Sequence, residues 1–115
     1  GIINEILTYS RTRELKPERV HLNAFVEELL SVYPIPAHIT VDKQLGPGDP
    51  VLDVDPTEMQ QAVRNLIGNA IEVMPEKGVV RVRTALVEGG AEINAKQATL
   101  KQKKGGITLQ RPKAP

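Results

Sequence analysis

Asp55-Pro-Thr-Glu-Met-Gln-Gln-Ala-Val-Arg-Asn-Leu-Ile-Gly-Asn-Ala-Ile-Glu-Val-Met74 is the stretch on which the reading of the fold turns. Asp55 can cap a helix, Pro56 suits the first helical position, and Glu58 sits where a capping box takes an acid. The spacing predicts a helix over 57–74, stopped by Pro75. Met59, Ala62, Val63, Leu66, Ile67, Ala70, Ile71 and Met74 recur at helical period and form its buried face. At ~100° per residue, with Asn65 at zero, Asn69 lies ~40° to one side and Glu72 ~20° to the other. Glu58 and Gln61 fall in the same arc, opposite the apolar face.

Any solvated helix carries a polar face of this kind. Asparagine is an odd choice for it, costing up to ~0.7 kcal/mol against alanine in a helix interior. Amide oxygens in line with a carboxylate are hard ligands, suited to Mg²⁺ held jointly with substrate phosphates.

Outward from this helix, Val51, Leu52 and Val54 form a short apolar run after the turn Gly46-Pro-Gly-Asp-Pro50. Ile39 and Val41 alternate with polar residues, as in a half-buried strand. Leu22, Phe25, Val26, Leu29, Leu30 and Tyr33 repeat at helical spacing, with Asn23 as candidate cap and Pro34 and Pro36 as the stop. Arg19–Leu22 reads as a short strand. Residues 2–13 read as a helix, because Ile3, Ile6, Leu7 and Ser10 make a narrow bundle-like seam that ends before Pro17. On the other side, Val79–Leu86 is strand-like, and Glu88-Gly89-Gly90 turns the chain back into Ala91–Ile93. The order implies an α+β fold with helices on one face of a sheet.

Composition narrows the function. The 115 residues suit one small domain. No cysteine is present, which excludes disulfides, thiolate zinc sites and a cysteine nucleophile. Aromatic residues make up only 3% (Tyr9, Phe25 and Tyr33), too few for a base-stacking platform. No run approaches the ~20 apolar residues of a membrane-spanning helix. The net charge of +1 hides an asymmetry: all 14 acids precede Asn94, and six of the 15 basic residues follow it. That acid-free tail, with few large apolar residues, is expected to be disordered. Its scattered lysines imply no specific nucleic-acid partner. Beginning at Gly1, the sequence reads as a cut, processed or partial protein.

The 55–74 stretch resembles the N-box helix of bacterial sensor histidine kinases, with its Asp-Pro, a central Gln, and Asn-Leu-hydrophobic-x-Asn-Ala followed by an acid and Met. Leu7-Thr-Tyr-Ser-Arg11 and Leu15-Lys-Pro-Glu-Arg-Val-His-Leu-Asn23 look like the junction between the dimerisation helix and the ATP-binding domain in kinases of the nitrogen-regulation type. Met74-Pro-Glu-Lys-Gly78 and Val-Arg-Val-Arg-Thr84 extend the likeness, which covers residues 2–87. It implies an incomplete two-layer α/β sandwich of the histidine-kinase ATPase type. Residues 1–14 would end a dimerisation helix, 15–93 would be the N-terminal part of the ATP-binding domain, and 94–115 a basic tail.

By the same resemblance, ATP and Mg²⁺ are the cofactors. Asn65, Asn69 and Glu72 would face the nucleotide, with Asn69 on the metal. The family phosphorylates a His on its dimerisation helices and passes the phosphoryl group to an Asp of a response regulator, in the cytosolic portion of an often membrane-anchored protein. The match is not complete. The family's Asp-x-Gly-x-Gly box reads adenine, yet no Asp follows Asp55. His21 and His38 do not match the phosphoacceptor box. No catalytic residue is therefore assigned, and ATP binding is expected to be weak or absent. The expected function is a fragment of a sensor kinase, a truncated or frame-disrupted product that is inactive as it stands. The alternative is a non-catalytic module that dimerises, or binds the parent kinase, through its first helix.

Overall fold

A computed structural model describes residues 3–9, 16–74, 76–96, 98–103 and 106–113. The elements are β1 (Ile3–Tyr9), β2 (Glu18–His21), α1 (Leu22–Val32), β3 (Ile39–Gln44), β4 (Val51–Val54), α2 (Pro56–Glu72), β5 (Gly78–Val87), β6 (Gly90–Ala95), β7 (Ala98–Lys103) and β8 (Gly106–Lys113). A six-stranded sheet has the order β1-β8-β7-β6-β5-β3, and β2 pairs with β4 in a separate ribbon. Among the described residues only β3 and β5 pair in parallel, and the crossover between them contains α2. Strands β5 to β8 are an antiparallel meander. The architecture is α+β, as the order of elements implies.

Helix α2 starts where the sequence places it. The Asp55 carboxylate accepts hydrogen bonds from the backbone N–H groups of Thr57 at 2.9 Å and Glu58 at 3.2 Å, satisfying two of the orphan donors of the first turn. Met59, Ala62, Val63, Leu66, Ile67 and Ala70 are fully buried on the sheet. They pack over β6, β7 and β8, against inward residues that include Ile93, Leu100 and Leu109. The alternation of buried and exposed positions along β5 and β6 gives the sheet one covered face and one polar face.

Helix α1 departs from expectation at its start. Asn23 is not the cap: the helix begins at Leu22, and His21 in the cap position makes no side-chain cap bond. The missing cap comes from the 46–50 turn instead. Asp49 Oδ1 accepts from the Asn23 N–H at 2.8 Å, and the Pro50 carbonyl accepts from Leu22 N–H at 2.9 Å. The Asn23 side chain is thereby released for a longer-range task. Its Nδ2 donates to the Gly46 carbonyl at 2.7 Å, and its Oδ1 accepts from Thr84 Oγ1 at 2.7 Å. Thr84 Oγ1 in turn accepts from Gly46 N–H at 2.8 Å. Gly46 must be glycine here, because a Cβ would come within 2.7 Å of the Thr84 carbonyl oxygen.

Two further expectations are corrected. The segment read as a helix over 2–13 is an edge strand at Ile3–Tyr9, paired antiparallel with β8 from Ile3↔Lys113 to Tyr9↔Ile107. Residues 2 and 10–13 of that segment, Ser10 among them, lie outside the described residues. A lone short helix has nothing to bury its seam against and is marginal in water. As a strand, the segment satisfies the open edge of β8 and turns Leu7 and Tyr9 toward the core. The tail expected to be disordered supplies the end of β6 together with β7 and β8, and Ala95, Ala98, Leu100, Ile107 and Leu109 are buried in the core. These small and medium apolar residues alternate with lysines and polar residues. Period two therefore lets a modest apolar content cover one sheet face.

Two measurements check this architecture. Amides of Leu100 and Leu109, central in the meander, should exchange far more slowly than free peptide in a hydrogen-exchange experiment. Asn23→Ala should lower stability by about 2–3 kcal/mol in denaturant unfolding, because it leaves the buried Thr84 hydroxyl and the Gly46 carbonyl without their partner.

Candidate functional site

The polar arc of α2 divides in the folded chain. Glu58, at the start of the helix, is buried and turns into a hollow of about 690 Å³ shared with Asp53, Asp55, Lys103 and Ile107. Gln61, Asn65, Asn69 and Glu72 line a different cleft, of about 670 Å³. Asn65, Asn69 and Glu72 are thus brought together along one groove, as the helical spacing requires.

The three differ in environment. Glu72 is exposed at the end of the helix. Asn65 is half-buried, and its Nδ2 donates to the Tyr9 hydroxyl of β1 at 2.8 Å. Asn69 is only 8% exposed as a residue, and no buried side-chain nitrogen or oxygen among the described residues lacks a partner, so its amide, which bonds to no other described side chain, keeps its polar atoms in contact with solvent. A buried amide normally finds partners within the protein or in water. What remains accessible of the Asn69 amide opens into the cleft. Between the two asparagines sits Gly68, where a Cβ would stand 3.1 Å from the Tyr33 hydroxyl. That small residue lets the end of α1 close against the helix and wall the groove.

The donor set fits a hard cation only in part. Two neutral amide oxygens and one carboxylate are oxygen ligands of the right type for Mg²⁺. No group of three or more His, Cys, Asp or Glu able to hold a metal occurs among the described residues. A cation here would need further oxygens from a bound ligand such as a phosphate chain.

Other residues of the cleft escaped the sequence reading. Tyr33 belongs to the apolar stripe of α1, and its ring carries the Arg64 guanidinium 5.6 Å from the centroid. Arg64 precedes Asn65 by one residue, which puts it ~100° away on the helix and outside the narrow arc. Arg111 lies in the tail that was expected to be disordered. On β8 it reaches the cleft, and its Nε donates to Glu5 Oε1 of β1 at 2.7 Å. Tyr9 also arrives by way of β1. The offset of Arg64 from Asn65 follows from helical spacing, Tyr33 arrives through the packing of α1 on α2, and Arg111 and Tyr9 arrive through strand pairing between the two chain ends.

His21 and His38 lie away from this cleft. His21 is exposed beside Asp49 at 3.6 Å, and His38 is exposed just before β3. No helix among the described residues is long and apolar enough to cross a membrane.

No family profile matches the sequence. Among curated proteins, it is 28% identical over 90 residues to the signal transduction histidine-protein kinase AtoS of Escherichia coli K12, covering 72% of this chain and 14% of that protein. It is 27% identical over 99 residues to sporulation kinase C of Bacillus subtilis 168, covering 83% of this chain and 23% of the relative. The chain therefore spans less than a quarter of the length of either relative. Among solved structures, a nucleotide-free catalytic domain of the histidine kinase ThkA superposes with a TM-score of 0.63 at 17% identity, over 77% of this chain and 58% of that one. ThkA in complex with the response regulator TrrA superposes with a TM-score of 0.65 at 16% identity, over 93% of this chain and 45% of that one. In sequence the chain is thus similar to bacterial sensor histidine kinases at under 30% identity, and its α+β fold matches that of histidine-kinase catalytic domains.

Proposed function

We propose that this chain is part of the ATP-binding region of a sensor histidine kinase, and that its own binding of Mg-ATP is weak. The observation that supports the reading is Asn69: a largely buried residue whose amide faces the cleft that Asn65 and Glu72 also line. In this reading Asn69 ligates the Mg²⁺, Asn65 and Glu72 flank it, and the phosphates complete the shell. The metal would neutralise phosphate charge for in-line transfer.

The reaction of the parent protein would be ATP-dependent phosphorylation of a histidine, followed by transfer to an aspartate of a response regulator, in the cytoplasm. Two features support weak binding by the chain itself. No Asp follows Asp55 to read adenine. Only two residues separate Ala95 of β6 from its partner Ala98 of β7, fewer than a glycine box or a lid would take. Losing a charge-assisted bond to the base costs ~1.5–3 kcal/mol, and the lid contacts should add at least a similar loss.

A second reading, a non-catalytic interaction module, draws support from β1. It is an edge strand whose Ile6 is 66% exposed, and an open edge can accept a strand from a second copy or from the parent kinase. Sedimentation or light scattering distinguishes the two readings, because a stable homodimer would favour this one.

Calorimetric titration with a non-hydrolysable Mg-ATP analogue tests the first reading. The dissociation constant should be about millimolar, which is ~−4 kcal/mol, and Asn69→Ala should weaken it further. Unchanged binding in that variant would remove Asn69 from the site. Micromolar binding abolished by the same substitution would restore a complete nucleotide site.

A further inference from the structure

The cleft that holds Asn65 and Asn69 is lined by two guanidinium groups against one carboxylate, with a second carboxylate, Glu5, paired to one of the arginines from outside the lining. Its charged groups among the described residues are the guanidinium groups of Arg64 and Arg111 and the carboxylate of Glu72. The two arginines come from different elements, Arg64 from α2 and Arg111 from β8. We propose that Arg64 and Arg111 form a phosphate clamp that takes the oligophosphate chain of the ligand without reading its base, and that Glu5 of β1 is the clamp's built-in competitor. The proposal deepens the nucleotide reading above and rests on it for the identity of the ligand.

Each part follows from an observed contact. Arg64 has no carboxylate partner among the described residues. Its guanidinium lies 5.6 Å from the centroid of the Tyr33 ring, a contact that favours this placement while leaving its N–H groups without a carboxylate partner among the described residues. Arg111 uses its Nε on Glu5, at 2.7 Å. A guanidinium has five N–H donors, so its outer nitrogens remain available for a second anion. Planar forks of this kind match phosphate oxygens in pairs, which favours phosphate over a halide or another point-like anion. The amides of Gln61, Asn65 and Asn69 lie in the same cleft and add neutral donors and acceptors. At about 670 Å³ the cleft lies within the ~300–1,000 Å³ typical of small-molecule sites, large enough for a triphosphate and its metal.

The cleft offers little to a base. Among the described residues the one aromatic ring in its lining, Tyr33, already carries Arg64, and Tyr9 reaches only the Asn65 amide, through its hydroxyl. Its one carboxylate, Glu72, is exposed at the helix end. Recognition by charge and fork geometry alone predicts indifference to the nucleobase.

Glu5 sets the resting state. It pairs opposite Arg111 in the β1–β8 ladder, so both side chains stand on the same face of the sheet. A phosphate must share or displace that carboxylate. Tyr9, four residues further along β1, engages Asn65 in the same way. Strand β1 therefore occupies two of the groups that an oligophosphate would contact.

The test is titration of the full chain with Mg²⁺ plus inorganic tripolyphosphate, ATP or GTP, with denaturant unfolding of each variant as a folding control. The three ligands should bind within about threefold of one another. Arg64→Ala, at an exposed position, should weaken tripolyphosphate roughly tenfold, the equivalent of about 1.4 kcal/mol. Arg111→Ala should do the same, and Arg111→Lys serves where the alanine variant does not fold. Glu5→Gln should tighten binding several-fold by freeing Arg111. ATP more than tenfold tighter than both GTP and tripolyphosphate would overturn base-blind recognition. ATP binding that is lost in Asn69→Ala but untouched in both arginine variants would overturn the clamp and leave the nucleotide reading standing. Absence of binding by all three ligands would overturn both.

Discussion

The structure depends on the burial of one helix. With only three aromatic residues in the chain, the core must be built from aliphatic side chains, and α2 supplies six that are fully buried. Each large one contributes ~1.5–3 kcal/mol by leaving water, less the entropy of ordering it. Once that stripe is pressed onto β6, β7 and β8, the helix cannot rotate. Its opposite side, with Gln61, Asn65, Asn69 and Glu72, is held in a cleft by the same constraint. The site is thus a by-product of core packing, and its asparagines carry a helix-propensity cost that packing on the other face offsets.

The Asn23–Thr84–Gly46 network plays a second part. It ties the start of α1, the turn before β4 and the middle of β5 through hydrogen bonds of 2.7–2.8 Å. These residues are far apart in sequence, and the bonds form only when the two layers are in register. Apolar burial is non-directional, whereas a buried amide with two partners tolerates little displacement. The network therefore fixes where the end of α1, with Tyr33, meets α2 at Gly68.

The chain ends bring the least expected chemistry. Strand β1 completes the edge of β8 and carries Glu5 and Tyr9 to Arg111 and Asn65. In the resemblance to sensor kinases this segment would belong to a helix. Its pattern of Ile3, Ile6 and Leu7 is compatible with either period, because so short a run samples few turns. The neighbour decides: beside an open sheet edge, a strand satisfies more backbone than an isolated helix can.

What the sequence determined by itself is local. Asp55-Pro56 starts α2, the aliphatic period sets which side is buried, and the spacing of Asn65, Asn69 and Glu72 aligns them on one ridge. Helical geometry and capping chemistry act over a few residues, so a single sequence suffices to read them. The tertiary structure decided everything that needed a distant partner. It turned residues 3–9 into a strand, gave the lysine-rich tail a place in the sheet, moved the cap of α1 from Asn23 to Asp49, and sent Glu58 and Asn65 into different hollows. It also brought Arg111 and Glu5 together across 106 residues. Strand pairing and side-chain capping across such separations depend on which edges the core leaves open, and no local pattern encodes that.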